Sequence, residues 1–187
     1  MVRNILCAGT SQEYGLLMPV RATVLMLTML SIFSPRLTAL EVGDPAPRIT
    51  ANDQSDQPVA FAAVYAKGLT LVYFYPKADT PGCTAQACSL RDSFASLSGG
   101  NLHILGVSRD TPQAQKKFQE KFSLPFPLIA DADGKVAEAF GVGGIMGMPV
   151  SKRQSFLIKD GKIAWISRSA KTGEHAAEVQ AAIDALK

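Results

Sequence analysis

Residues 69–75, Leu-Thr-Leu-Val-Tyr-Phe-Tyr, make one unbroken β-branched and aromatic run that ends at Pro76. A run this short, closed by a proline, reads as a buried strand. The segments that follow alternate with it. Residues 84–97 are helix-friendly and space Leu90, Phe94 and Leu97 by four and three. Residues 102–108 form a second buried strand, and Asp110-Thr111-Pro112 opens a helix carrying Phe118 and Phe122 on one face. Leu128-Ile129 reads as a short strand, after which Asp133-Gly134 turns into a helix through Val136, Ala137 and Phe140. Residues 141–147 are glycine-rich and read as a surface loop. Residues 154–159 and 162–167 flank Asp160-Gly161, a two-residue hairpin signal. A last helix starts near Thr172 as N-cap and spaces Val179, Ile183 and Leu186 by four and three. This order predicts an α/β chain with a central mixed β-sheet flanked by helices on both faces.

The 187 residues suffice for one domain with a sizeable core. A hydrophobic share of 47% excludes a disordered chain, and three cysteines do not make a disulfide scaffold. The net charge of +3 comes partly from residues 1–39, which hold Arg3, Arg21 and Arg36 against Glu13. Without them Lys+Arg falls from 19 to 16 and Asp+Glu from 16 to 15. A nearly neutral body with no dense basic stripe excludes nucleic acid as a partner.

Residues 1–39 read as an N-terminal leader, with translation starting at Met1 or Met18. Arg21 precedes an apolar run over residues 22–33, Ser34-Pro35 breaks it, and Leu37-Thr38-Ala39 offers a small residue for cleavage. That is the layout of a secretory signal peptide, and the run is shorter than the ~20 residues of a membrane span. The expectation is export to a bacterial periplasm, with no stable membrane span after leader removal and Cys7 lost with the leader. An uncleaved membrane tether and an organellar transit peptide are the competing readings. The body, residues 40–187, is then a single domain.

Cys83 follows a strand and Pro81-Gly82, so it falls in the first turn of a helix. Unpaired N–H groups and the positive end of the helix dipole favour a thiolate there. Thr80 places a hydroxyl beside the same position. Cys88 lies five residues on, where an intact helix sets the two Cα atoms about 8–9 Å apart on opposite flanks. A disulfide needs less than about 7 Å. Either Cys88 is an inert core residue, or its oxidation is coupled to local unwinding.

In these residues the sequence resembles the peroxiredoxins of the Q or bacterioferritin-comigratory type. Pro76, Thr80 and Cys83 meet the family pattern Pro-x-x-x-Thr-x-x-Cys, Cys88 stands where that type carries its resolving cysteine, and Arg153 stands where the family arginine precedes the penultimate strand. The resemblance runs from about Glu41 to the C-terminus. It implies a thioredoxin-like fold and a thiol-specific peroxidase acting on hydrogen peroxide and organic hydroperoxides. It implies Cys83 as peroxidatic thiolate and Pro76, Thr80, Gly82 and Arg153 around the peroxide. It also implies a Cys83–Cys88 disulfide, reduced by a thioredoxin-like or other dithiol donor, with no cofactor, in a monomer or weak dimer. One departure is plain. The family usually carries a longer segment before the arginine strand, often with Lys-x-Tyr-x-Gly, whereas residues 141–149 are short and lack it. A more open or reshaped rim is expected.

An exported thiol–disulfide oxidoreductase of the same fold is the first alternative, but it calls for Cys-x-x-Cys, and four residues intervene here. A non-catalytic holdase is the second. Gly141, Gly143, Gly144 and Gly147 lack the strand and Lys-Ser/Thr of a phosphate loop. Asp131 and Asp133 lack the remaining ligands of a calcium loop. His103 and His175 read as structural, and no second cysteine pair or nearby His pair supports zinc.

Overall fold

The computed structural model describes residues 39–99, 101–145 and 147–187. The expected leader, including Met18 and Cys7, lies outside the described residues apart from Ala39. A short antiparallel pair, β1 (Thr50–Asn52) and β2 (Pro58–Ala60), leads into α1 (Phe61–Tyr65). The chain then forms β3 (Thr70–Phe74), α2 (Pro81–Asp92), α3 (Phe94–Ser98), β4 (His103–Ser108), α4 (Pro112–Phe122), β5 (Leu128–Ala130) and α5 (Lys135–Ala139). A small hairpin, β6 (Gly144–Ile145) and β7 (Met148–Ser151), precedes β8 (Ser155–Lys159), β9 (Lys162–Ser167) and α6 (His175–Asp184).

The main sheet runs β5-β4-β3-β8-β9. β3, β4 and β5 are mutually parallel, while β8 pairs antiparallel with β3 and β9 antiparallel with β8. The apolar run at residues 69–75 is buried as read, with every residue of β3 inaccessible, and the strand order places it at the centre of the sheet. Its alternate side chains divide the core. Leu71 and Tyr73, with Tyr75 just beyond the strand, pack with Ala87 and Leu90 of α2, Phe118 of α4 and Val179 of α6. Val72 and Phe74 face the other way, onto Phe61 of α1, Val136 of α5 and Phe140. Helices on both faces of a mixed sheet are what the sequence predicts.

Three local readings need correction. The helical pattern over residues 84–97 is two helices, because the chain breaks at Ser93 (φ −98°, ψ 4°). The glycine-rich stretch is not all loop; β6 and β7 pair within it. Thr172 does not cap α6, which starts three residues later behind Glu174 and without a side-chain cap. The Asp160-Gly161 turn is as predicted, with both residues at positive φ (53° and 73°). Among the described residues, no helix is long and apolar enough to cross a membrane.

Candidate active site

Parallel strands deliver their following loops to one edge of a sheet, and that edge is where α/β folds gather ligands. Here β3, β4 and β5 end together at Phe74, Ser108 and Ala130. Pro76 breaks β3, and residues 76–80 cross the edge to α2. This connection is tied at several points. The backbone N–H of Ala78 donates to Asp110 Oδ2 at 2.8 Å, and Ser108 Oγ donates to the same oxygen at 2.7 Å. Tyr75 donates its hydroxyl to Gln115 Oε1, and Gln115 Nε2 donates to Ser108 Oγ and the Ile129 carbonyl at 2.8 and 2.9 Å. Asp79 adopts φ 56° and meets Lys121 at 2.8 Å.

The connection sets Thr80 at the N-cap position of α2, with Pro81, Gly82 and Cys83 in the first turn. Pro81 suits a first helical position because it has no N–H to leave orphaned. The Thr80 hydroxyl does not cap the helix; it donates to the Lys77 carbonyl at 3.0 Å. Its oxygen lone pairs stay available, and so do the first-turn N–H groups of α2. Cys83 is a free thiol and only 2% exposed, its side chain among the core residues of the α2 face.

Arg153 reaches the thiol out of the connection between β7 and β8. Its Nη2 donates to Cys83 Sγ at 3.4 Å, and the same nitrogen lies 3.4 Å from where a Cβ on Gly82 would stand. The guanidinium therefore lies across the first turn of α2. Its Nη1 donates to Gln86 Oε1. Gln86 Nε2 lies 3.2 Å from His175 Nδ1, and His175 Nε2 lies 2.9 Å from Ser155 Oγ. Cys88 is free and half-buried further along the same unbroken helix, so the two cysteines stay on separate flanks in this state.

Cys83, Thr80, Gly82 and Arg153 are thus brought together, with Pro76 at the entrance of the loop. Gln86 escapes the sequence reading, and His175 is read there only as structural, although both join the site. Gln86 has a usable signal, since it sits three residues after Cys83 and so on the same helical face. His175 has none, because only the packing of α6 on α2 brings it in. His103, at the start of β4, lies at the opposite end of the sheet from Cys83. Asp131 accepts N–H bonds from Val136 and Ala137 at 2.8 and 2.9 Å, so it caps α5 as a turn residue.

The geometry sets a thiol, a guanidinium and free N–H donors at one helix start, the arrangement a peroxide-reducing cysteine needs. Comparison with known proteins identifies the family. The AhpC/TSA family profile matches residues 42–166. Peroxiredoxin Bcp of Escherichia coli K12 is 42% identical over 145 residues, covering 74% of this chain and 92% of that protein. Peroxidoxin BcpB of Mycobacterium tuberculosis superposes with a TM-score of 0.74 at 34% identity, over 79% of this chain and 99% of that one. The bacterioferritin comigratory protein of Xanthomonas campestris, whose structures concern alkyl peroxide reduction, gives 0.70 at 26% identity, over 78% and 99%. The chain belongs to the AhpC/TSA family as a peroxiredoxin of the Q or Bcp type, a thiol-dependent peroxidase of thioredoxin-like fold.

Proposed function

We propose that Cys83 is the peroxidatic residue, that Thr80 and Arg153 hold the peroxide against it, and that Cys88 resolves the oxidised form. The observation that carries this is the 3.4 Å contact of Arg153 Nη2 with Cys83 Sγ at the first turn of α2. The Cys83 thiolate attacks one peroxide oxygen, the O–O bond breaks, and the other oxygen leaves as an alkoxide or hydroxide that takes a proton. Cys83 becomes a sulfenic acid. The Thr80 proton is engaged with Lys77, so its oxygen accepts from the O–H of the attacked oxygen. Arg153 and the first-turn N–H groups face the charge that develops on the departing one.

Cys88 then attacks the sulfenic sulfur and water leaves, giving a Cys83–Cys88 disulfide. A dithiol donor takes over that bridge by exchange and is itself oxidised, returning both thiols. Since α2 runs unbroken through both cysteines, its first turns unwind for the bridge to close. The substrates are hydrogen peroxide and small organic hydroperoxides, and the donor is thioredoxin-like. Export, by way of a leader over residues 1–39, completes the proposal; a donor for such a protein would belong to the same compartment. The oxidoreductase alternative is disfavoured by the family and by the cysteine spacing.

Cys83→Ser is expected to abolish peroxide turnover, and Cys88→Ser to permit one stoichiometric oxidation without cycling on a dithiol donor. Mass spectrometry of the purified protein, before and after one equivalent of peroxide, reads the bridge and the mature start together. Turnover at a near-normal rate in Cys83→Ser overturns the assignment, and full cycling in Cys88→Ser removes Cys88 as resolver. An intact Met1 or Met18 in cytosolic protein rejects export.

A further inference from the structure

Arg153 comes from an irregular connection, so no helix or strand dictates where its guanidinium rests. Gln86 Oε1 takes Nη1 and holds it from behind. A guanidinium only donates, so the amide must present its oxygen to Arg153 and its NH2 to His175. Nδ1 of His175 then accepts at 3.2 Å, the ring proton lies on Nε2, and Nε2–H donates to Ser155 Oγ at 2.9 Å. The hydrogen-bond chain Arg153–Gln86–His175–Ser155 has one polarity throughout. Gln86, His175 and Ser155 are each 0% exposed, so an amide turned the other way finds no solvent to satisfy it.

We propose that His175 is a positioning residue for the peroxidase reaction: by accepting from Gln86 it keeps the amide oxygen on Arg153, and so keeps the guanidinium on Cys83. The inference rests on Cys83 and Arg153 acting as proposed above. The ring must stay neutral for this, since a second N–H on Nδ1 would face the Gln86 donor. Burial first, and then the Arg153 charge, push its pKa down to about 4. Of the titratable side chains on neighbouring elements, α2 carries Cys83, Cys88, Arg91 and Asp92, β3 carries Tyr73, the β7–β8 connection carries Lys152 and Arg153, and β8 carries Lys159. On its own helix and the cap before it, Glu174 and Glu178 are engaged with Lys171, and Asp184 with Lys187.

His175→Phe keeps an aromatic ring edge-on to Tyr73, 5.8 Å away, and removes both hydrogen bonds. His175→Asn puts an amide oxygen near the place of Nδ1. The readouts are the second-order rate with peroxide, and the rate of Cys83 alkylation by iodoacetamide at pH 6 in a Cys88→Ser background. With folding checked by thermal melting, His175→Phe is expected to lower both rates about tenfold or more, and His175→Asn to return them to within about threefold of wild type. Wild-type rates in a folded His175→Phe overturn the proposal, as does a His175→Asn no faster than His175→Phe, which would mark a packing role alone. Should His175→Phe not fold, Ser155→Ala reads the chain from its far end: about a threefold fall in both rates is expected, and no change overturns it. Arg153→Lys separates the two assignments. If it retains the wild-type rate, the role given to Arg153 fails; if it is slow while His175→Phe is not, only the inference about His175 fails.

Discussion

At the scale of single residues, His175 couples folding to pH. In the fold its pKa is held near about 4, by burial and then by Arg153, against 6.5 for the free ring. Between those values the unfolded chain binds a proton that the folded chain refuses, so stability rises with pH across the window and is lost on acidification from 6.5 toward 4. The whole shift corresponds to roughly 3 kcal/mol. Denaturant titrations at pH 7 and pH 4.5 are expected to show most of that loss in the wild type and little of it in His175→Phe. An equal loss in the variant would place the acid sensitivity on other groups. The sequence marks Cys83 and Thr80 by residue type and short spacing, and Arg153 through the family resemblance alone. It leaves His175 looking like any core histidine, since its partners come from α2 and β8, far away along the chain.

At the scale of elements, α2 holds the two cysteines apart, and the mechanism proposed above requires it to give way once per cycle. Its inner face is anchored by the buried Ala87 and Leu90, whereas its first turn has no side-chain cap at Thr80. Unwinding can therefore begin at Pro81 without opening the sheet. Amide hydrogen exchange on reduced and peroxide-oxidised protein tests this. Protection is expected to fall by about tenfold or more over residues 83–88 on oxidation, and to stay unchanged in β3 and β4. Full protection of α2 in the oxidised form would mean that no bridge closes there. The strands β8 and β9 were legible around the Asp160-Gly161 turn, whereas the short α1, with Phe61 and Tyr65 buried, was not. The break at Ser93 was not, because Leu90, Phe94 and Leu97 keep helical spacing straight through it. Pairing within residues 141–151 was also hidden, since glycines carry no pattern of burial.

Across the whole molecule, the sheet separates a core that supports the site from one that does not. Phe140 is fully buried on the far face, with ring centroids 6.2 Å from Phe61, 5.3 Å from Phe74 and 5.1 Å from Phe156. Phe140→Ala is expected to cost about 3–5 kcal/mol and lower Tm by roughly 10 °C. The peroxide rate of the folded protein should hold within about twofold, because no residue of that cluster touches Cys83. A large fall in rate at a temperature well below Tm would show that the two faces are coupled. By itself the sequence determined the alternation of elements, the central strand and the helix entrance that bears Cys83, because period, proline and turn chemistry act over a few residues. Only the tertiary structure decided which distant side chains meet that thiol. Gln86 on α2, Arg153 and Ser155 around the start of β8, and His175 on α6 come from three distant segments, and the hydrogen bonds between those segments exist only once sheet pairing and helix packing have excluded water between them.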